Sequence, residues 1–187
     1  MKKHFSFSSS PTEKTHIEFT KKLSDSDFST ALKALKKGDW ARIEAPYGKF
    51  TFEGEHKKLG LLAGGIGITP FKSICQYCTD MRLDTKVTLI YGNRAENDIV
   101  FRKELEVLQR QNKNLKVVFT LNEPSSEWIG AKGLITSEMI KNQIPDYKET
   151  TFYTCGPPKM VDIMEKLIEQ LGVPREQLKR EYFTGYT

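Results

Sequence analysis

Leu-Gly-Leu-Leu-Ala-Gly-Gly-Ile-Gly-Ile-Thr-Pro-Phe-Lys-Ser-Ile, residues 59–74, is the stretch that decides the fold. A short apolar run breaks into glycines and then continues from Pro70 in a helical pattern, which predicts a strand, a tight turn and a helix. The first turn of a helix has unpaired N–H groups and a partial positive charge, so it can hold a phosphate. The stretch therefore predicts a nucleotide site. Its spacing alone also suits a plain strand-to-helix turn, because Pro70 replaces the third glycine of the dinucleotide fingerprint.

Length and composition indicate an ordinary globular protein. The 187 residues allow one large or two small domains, and the chain is 38% hydrophobic and 28% charged. No apolar run approaches membrane-spanning length, and the N-terminus is too polar for a signal peptide. We therefore expect a cytoplasmic location and no membrane insertion.

The three cysteines do not form a metal or disulfide pattern. Cys75 and Cys78 form a Cys-x-x-Cys pair, but they lie inside the helix predicted from Pro70, and no second pair completes a four-ligand site. We interpret this pair as structural and predict no metal site. Iron–sulfur spacing is also missing from the sequence.

The formal net charge of +5 includes several lysine pairs interleaved with acids and turn residues. Such pairs are typical of a solvated surface, although a basic face would attract an acidic protein partner. We predict no nucleic-acid binding, because no motif supports it.

The first part of the chain, residues 1–54, is predicted to be mostly antiparallel β-structure with one short helix. An apolar stripe predicts a helix over residues 28–37, ended by Gly38. Alternating side chains and turn signals predict the strands at 4–9, 15–22, 40–44 and 49–52.

The second part, residues 55–187, alternates apolar strands with helices, which predicts a parallel sheet covered on both faces. The predicted strands are 59–63, 86–91, 116–121, 151–155 and 178–182, and the predicted helices are 70–81, 100–111, 136–141 and 157–171. Ligands of such sheets bind beyond the carboxyl ends of the strands. The segments that follow four of the strands should therefore line one crevice: 64–69, 92–94, 122–123 and 155–158.

Four separated segments together resemble the ferredoxin–NADP reductase superfamily: Lys3-His4-Phe5-Ser6, Gly64-Gly65-Ile66-Gly67-Ile68-Thr69-Pro70, Cys155-Gly156-Pro157-Pro158-Lys159-Met160 and Glu181-Tyr182-Phe183. The resemblance covers nearly the whole chain. It implies an α/β protein with an antiparallel β-barrel flavin domain followed by a Rossmann-like parallel-sheet nicotinamide-binding domain. The flavin signature begins at Lys3, so the barrel is expected to be incomplete. The chain is then a fragment, which we favour, or the missing strands come from elsewhere.

The same resemblance assigns a set of residues to FAD. Phe5 would stack on the isoalloxazine, and Ser6 would hydrogen-bond the flavin near N5. Lys3 stands where the family has an arginine on the FAD pyrophosphate, and lysine has no bidentate fork. His4 occupies the variable position of the signature. Ser29 and Thr30 match a second pyrophosphate contact, although Ser29 also suits a plain helix cap.

For the nicotinamide cofactor, the resemblance implies pyrophosphate binding by the glycine turn and its helix, and nicotinamide binding after a later strand. The first group is Gly64, Gly65, Gly67, Thr69 and Pro70, and the second is Cys155, Gly156, Pro157 and Met160. Glu181 and Phe183 resemble the acid and aromatic beside the flavin, with Tyr186 as an alternative to Phe183. Ser6, Cys155 and Glu181 form the predicted catalytic set.

The choice between NADH and NADPH rests on the loops after two strands. By the resemblance, Arg94 lies where basic residues of the family would meet a 2′-phosphate, although it also suits a simple surface residue. Asn122 and Glu123 lie where users of NADPH often have serine and arginine. A carboxylate there would repel a phosphate and accept a hydrogen bond from a ribose hydroxyl, so we favour NADH.

The predicted function is a flavin-dependent oxidoreductase that passes hydride from NAD(P)H to FAD. Electrons would then go singly to a separate protein, such as an acidic ferredoxin, a flavodoxin or an oxygenase component. Two alternatives stay open: a flavin reductase that uses weakly bound flavin, and a non-catalytic nucleotide-binding module.

Overall fold

A computed structural model describes residues 2–184 of the chain. Its centre is a six-stranded sheet in which every neighbouring pair is parallel. The strands are β1 (Lys58–Gly64), β2 (Lys86–Asn93), β3 (Leu115–Leu121), β4 (Ala131–Lys132), β5 (Thr151–Gly156) and β6 (Leu178–Tyr182). Their spatial order is β4-β3-β2-β1-β5-β6, so the first strand lies inside the sheet.

Helices cover both faces of this sheet and enclose two separate cores. The covering helices are α2 (Thr69–Asp80), α3 (Arg102–Gln111), α4 (Ser137–Gln143) and α5 (Pro158–Gln170), and a further helix, α1 (Asp27–Ala34), lies in the first part of the chain. On one face Phe71 and Leu105 pack on the sheet, and on the other Ile140 and Ile168 do so. The central strands are buried on both faces, which explains their continuous apolar sequences.

The parallel sheet predicted from the sequence is confirmed. All five predicted strands of residues 55–187 are present, and their ends differ from the prediction by at most two residues. The prediction missed β4, because two residues are too few to show a period. It also missed a 3₁₀ turn, Gly65–Ile68, which joins β1 to α2. This turn matters below, because it contains the glycines expected to meet a phosphate.

The four strands predicted within residues 1–54 are wrong for the residues that the structure describes. Residues 2–57 contain α1 and a single antiparallel bridge between Phe7 and Phe19. A strand is stable only when a neighbour satisfies its backbone groups, and alternation of side chains does not provide that neighbour. Trp40 and Tyr47, for example, are 82% and 75% exposed. The antiparallel barrel and the boundary at residue 54 therefore stay predictions.

The helix of this first part is shorter than predicted. It ends at Ala34 and not at Lys37, because Leu35 is extended and its N–H bonds the Leu32 carbonyl. At the other end, the Ser26 side chain accepts a hydrogen bond from the Ser29 N–H and caps the helix. The suggestion that Ser29 is the cap is therefore wrong.

Residues 2–57 attach to the sheet domain through polar contacts at several points and through the rings of Phe50 and Phe52, which pack against the core on one face. Ser73 of α2 donates to the Ser9 carbonyl at 2.8 Å. Tyr153 of β5 donates to the Thr51 carbonyl at 3.0 Å. Lys179 of β6 bonds the same carbonyl and the Glu55 carboxylate. These contacts tie the segment to the face of the sheet that α2 covers.

The Glu55 carboxylate makes one of these contacts dependent on pH. Its partial burial opposes ionisation, but backbone N–H donors at Glu53 and Glu55, together with Lys179, lower its pKa to about 2. An acid whose pKa is lower when folded than when unfolded stabilises the fold above its unfolded pKa. That contribution is lost as pH falls toward the folded pKa.

We expect Glu55→Gln to lower the free energy of unfolding near neutral pH by less than about 1 kcal/mol, because the carboxylate is partly exposed. The difference from wild type should shrink as pH falls from the unfolded value of 4.5 toward about 2. Urea denaturation at several pH values measures it, with the exposed Glu53→Gln as control. A difference that grows on acidification would contradict the assignment.

Candidate functional site

The order of the strands creates a crevice at one edge of the sheet. After β1 the chain goes to one side to form β2, and β5 pairs with the other side of β1. Ligands of open parallel sheets bind at such a switch point, beyond the carboxyl ends of the strands. In this register Ala63 pairs with Cys155, so the glycine turn and the segment at 155–158 emerge side by side.

The glycine turn needs two of its glycines for different reasons. Gly65 has a φ of +50°, and a Cβ added to it would meet no atom within 4 Å. This position therefore faces open space. A Cβ added to Gly67 would lie 2.3 Å from the Cys155 carbonyl oxygen, which no side chain can tolerate. The turn therefore packs closely against the backbone of β5 at Gly67 and faces open space at Gly65.

The start of α2 completes a cradle that fits a phosphate. Thr69 is the first residue of the helix and is 1% exposed, and its hydroxyl has no hydrogen-bond partner among residues 2–184. Pro70 follows in the first turn, where an N–H is not needed. A helix N-terminus, an open glycine and an unpaired hydroxyl together match what an anionic group requires.

The predicted nicotinamide residues lie beside this cradle. Cys155 and Gly156 are buried at the end of β5. A Cβ added to Gly64 would lie 3.1 Å from the Met160 sulfur and 3.5 Å from Pro157 Cδ, so both side chains pack at the turn. Burial raises the pKa of the Cys155 thiol, and the nearby Glu181 carboxylate raises it further. The thiol is therefore neutral at physiological pH.

Two of the three predicted catalytic side chains are hydrogen-bonded to each other, although they are far apart in the sequence. Ser6 Oγ donates to Glu181 Oε2 at 2.8 Å. Cys155 pairs with Glu181 in the β5–β6 register. Burial raises the pKa of Glu181, and the hydrogen bond from Ser6 opposes part of that rise. A serine, a thiol and a half-buried acid thus form one cluster.

The C-terminal aromatic lies next to this cluster. The Phe183 N–H donates to the Gly156 carbonyl at 2.9 Å, and its ring packs against one of the two cores. Tyr186, the alternative to Phe183, lies outside the described residues.

The remaining residues predicted to bind FAD lie on the first part of the chain. Phe5 stacks on Phe19 with ring centroids 4.9 Å apart, so one of its faces is already covered. Lys3 and His4 are exposed. Their assignment to FAD stays a prediction.

A cluster of serines surrounds the predicted second pyrophosphate contact. Ser29 is buried, and its hydroxyl accepts hydrogen bonds from the Ser24 N–H and the Ser26 hydroxyl. Thr30 is exposed, and both its N–H and its hydroxyl bond the Ser26 carbonyl. The hydroxyls of Ser29 and Thr30 thus already take part in the start of α1.

The two residues expected to decide between NADH and NADPH contact each other. Arg94 Nε lies 3.0 Å from Glu123 Oε2, and the Glu123 N–H donates to the Arg94 carbonyl at 2.8 Å. The Asn122 N–H donates to the Asn93 carbonyl in the same way. The sequence analysis considered Arg94 and Glu123 separately. In the structure the Glu123 carboxylate forms an ion pair with the Arg94 guanidinium.

Sequence reasoning missed two residues of the crevice. Tyr91 is fully buried in β2, and its hydroxyl donates to the Gly65 carbonyl at 2.9 Å. Asn93 is 5% exposed at the end of β2, and neither atom of its amide makes a hydrogen bond of ordinary geometry among the described residues. A tyrosine within an apolar strand gives no sequence signal of its own. Asn93, as a polar residue that ends a buried strand, did offer one.

A second groove, of about 400 Å³, lies at the opposite edge of the sheet, at the amino ends of β1 and β2. Its lining includes Lys58 and Lys86. Asp146 and Glu149 both pair with the Lys58 ammonium, so their charges offset those of the two lysines. This balance gives no preference for an anion there.

Comparison with known proteins identifies a matching family. The family model described as oxidoreductase NAD-binding domain matches residues 61–166. NADH-cytochrome b5 reductase 1 of Aspergillus terreus is 36% identical over 154 residues, which cover 78% of this chain and 52% of that protein. The chain spans about half the length of the curated relatives it matches.

Solved structures share the fold. The cytochrome b5 reductase domain of Ulva prolifera nitrate reductase matches with a TM-score of 0.85 at 24% identity, covering 95% of this chain and 78% of that one. A ferredoxin NADP+ reductase from Neisseria gonorrhoeae with bound FAD and NADP matches with a TM-score of 0.73 at 23% identity and the same coverage. At these identities the likeness shows the fold alone.

The comparisons correct the predicted partner. Several relatives, which are 31–40% identical to this chain, are named NADH-cytochrome b5 reductases. The prediction of a ferredoxin, a flavodoxin or an oxygenase component is therefore wrong, because their names specify cytochrome b5. Within residues 2–184, no helix combines the length and apolarity needed to cross a membrane. The cytoplasmic location stays a prediction.

We expect Gly67→Ala to destabilise the protein by about 1–3 kcal/mol, because the new methyl group would push against the Cys155 backbone. Gly92→Ala is the matched control, since its Cβ would make only ordinary contacts near 3.7 Å. It should change the free energy of unfolding by less than about 0.5 kcal/mol. Denaturant titration of both variants measures this, and equal losses would refute the close approach at Gly67.

Proposed function

The chain belongs to the oxidoreductase NAD-binding domain family, and from this premise we propose that it transfers hydride from a nicotinamide cofactor to FAD. Membership confirms the resemblance to the ferredoxin–NADP reductase superfamily. FAD and a nicotinamide cofactor are the cofactors of that family, as the sequence predicted. The proposal assigns the binding of these two cofactors to particular residues of this chain.

The observation that carries the proposal is the cluster of Ser6, Cys155 and Glu181 beside the glycine turn. A phosphate cradle alone supports nucleotide binding. A serine and a half-buried acid, which meet where β5 and β6 end, add a site for a second ring system next to it. Hydride transfer requires two rings held in contact and shielded from water.

Each part of the crevice has a proposed task. Gly65, Gly67 and Thr69 hold the pyrophosphate. Cys155, with its neutral thiol, gives the nicotinamide an apolar wall at the end of β5. When bound, the nicotinamide and the flavin supply the hydride donor and acceptor.

Ser6 and Glu181 are proposed to hold a proton near the flavin. The pKa of Glu181 is raised by burial, so the acid retains a proton to higher pH than an exposed glutamate does. Ser6 is hydrogen-bonded to that acid at 2.8 Å, which sets the direction of its hydroxyl. The Ser6 hydroxyl therefore places an exchangeable proton beside the Glu181 carboxyl at the end of β6.

The visible spectrum of the purified chain with added FAD tests the proposal. We expect a flavin band that travels with the protein on gel filtration and bleaches when NADH is added without oxygen. A matched variant is Gly65→Asn, since asparagine tolerates positive φ and the side chain enters open space. It should keep the flavin band and lose most of the bleaching, because its side chain fills the phosphate cradle.

A protein that stays colourless with FAD would refute the proposal, and so would a flavin that does not bleach. For the acceptor, we propose a haem protein of the cytochrome b5 type, on the strength of the relatives' names. Ferric cytochrome b5 added to the bleached protein should be reduced, as seen in its haem absorption. Failure of that step alone would remove the acceptor and leave the flavin chemistry intact.

One observation favours a second candidate, a flavin reductase that binds flavin weakly. Residues 2–57 form no sheet, Lys3 is exposed, and one face of Phe5 is covered by Phe19. A weak site would release reduced flavin, so turnover would depend on the concentration of added free flavin. Turnover that saturates at one flavin per chain would exclude this candidate.

We also propose that NADH is preferred over NADPH, because the Glu123 carboxylate pairs with the Arg94 guanidinium and keeps it from a 2′-phosphate. Glu123→Gln removes a negative charge and frees the guanidinium for a 2′-phosphate. Since the pair is exposed, we expect the ratio of NADPH to NADH affinity to rise by only about two- to fivefold at low salt. Titration of both cofactors measures it. The exposed Glu127→Gln has the same charge change, and an equal effect there would contradict a specific role of the pair.

A further inference from the structure

The Tyr91 hydroxyl lies directly beneath the glycine turn. It donates to the Gly65 carbonyl at 2.9 Å and accepts from the Val100 N–H at 3.3 Å. Its ring is fully buried in β2 and packs on Phe119 with centroids 6.2 Å apart. Burial raises the pKa of the hydroxyl, so it remains a donor throughout the physiological range.

The position of this carbonyl fixes the peptide group that follows. In a trans peptide the C=O of one residue and the N–H of the next point in opposite directions within one plane. The Gly65 carbonyl points inward to Tyr91, so the Ile66 N–H points away from the core. As the second residue of a 3₁₀ turn, Ile66 also has no acceptor for this N–H within the turn.

The outward side is the open side of the turn. A Cβ added to Gly65 would meet nothing within 4 Å, and the positive φ of Gly65 allows this orientation without strain. A peptide that flipped would turn its carbonyl oxygen toward a bound anion and repel it. The hydrogen bond from Tyr91 holds the peptide in the orientation that attracts one.

We propose that Tyr91 is a positioning residue for the dinucleotide pyrophosphate, which acts by holding the Gly65–Ile66 peptide with its N–H toward the ligand. This role rests on the proposed function. Tyr91 itself is covered by the turn and does not touch the ligand. Its second hydrogen bond, from the Val100 N–H, links the turn to the segment that leads into α3. One hydroxyl therefore fixes the position of both segments relative to β2.

Tyr91→Phe tests the role, because it keeps the ring and removes only the hydroxyl. We expect the Kd for NADH, measured by calorimetric titration, to rise about three- to tenfold, which corresponds to one neutral hydrogen bond. In the ligand-free protein, hydrogen–deuterium exchange should become faster at the amides of residues 65–68. This second readout does not depend on the activity of loaded enzyme.

Tyr153→Phe is the matched control. Tyr153 is also a fully buried strand tyrosine that donates to a backbone carbonyl, that of Thr51, but it does not touch the turn. It should lose similar thermal stability and keep wild-type NADH affinity and wild-type exchange at residues 65–68.

Three results would overturn the role of Tyr91. The first is unchanged NADH affinity in Tyr91→Phe, and the second is an equal loss of affinity in both variants, which would indicate general destabilisation. In the third, wild-type protein binds no NADH, so the proposed function fails together with this role. The first two results leave the proposed function standing.

Discussion

The close approach of the glycine turn to β5 is the constraint on which the rest of the structure depends. Gly67 lies so near the Cys155 carbonyl that no side chain fits between them. This contact is possible because β1 pairs with β5 in parallel register, which brings their carboxyl ends level. A side chain at position 67 would push the turn away from β5, and the start of α2 would move with it. The phosphate cradle and the Cys155 segment would then no longer share one crevice.

The chemistry of the crevice follows from this geometry and changes along the edge of the sheet. At β2 and β3 the exposed Arg94 and Glu123 cancel each other's charge. At β1 the turn offers N–H groups and an unpaired Thr69 hydroxyl, which suit an anion. At β5 and β6, Cys155 is buried and Glu181 is half-buried, and burial raises the pKa values of both. Along this edge the lining therefore changes from an exposed ion pair, to unpaired donors, to groups whose ionisation burial opposes.

The sequence predicted the sheet well because each central strand is apolar on both faces, and a strong pattern survives any tertiary context. It predicted the crevice because carboxyl ends of parallel strands must meet at one edge. It failed for residues 2–57, since alternation there does not supply a pairing partner. It also missed the Tyr91 hydroxyl and the Arg94–Glu123 pair. Both are contacts between elements, and no local pattern encodes which donor reaches which acceptor.

The two parts of the proposed active site are held with unequal strength. The cradle belongs to a sheet domain whose two cores consist almost entirely of residues from position 59 onward, with Phe52 as the exception. Ser6 belongs to the other part, which contacts that domain through hydrogen bonds at single points and through the rings of Phe50 and Phe52. Such bonds contribute about 0.5–1.5 kcal/mol each, whereas burial of the cores supplies far more. Loss of the single hydrogen bond between Ser6 and Glu181 would therefore leave the cores around the cradle packed. In the proposed function, nucleotide binding depends on the packed cores, and alignment of the reacting rings depends on these weaker contacts.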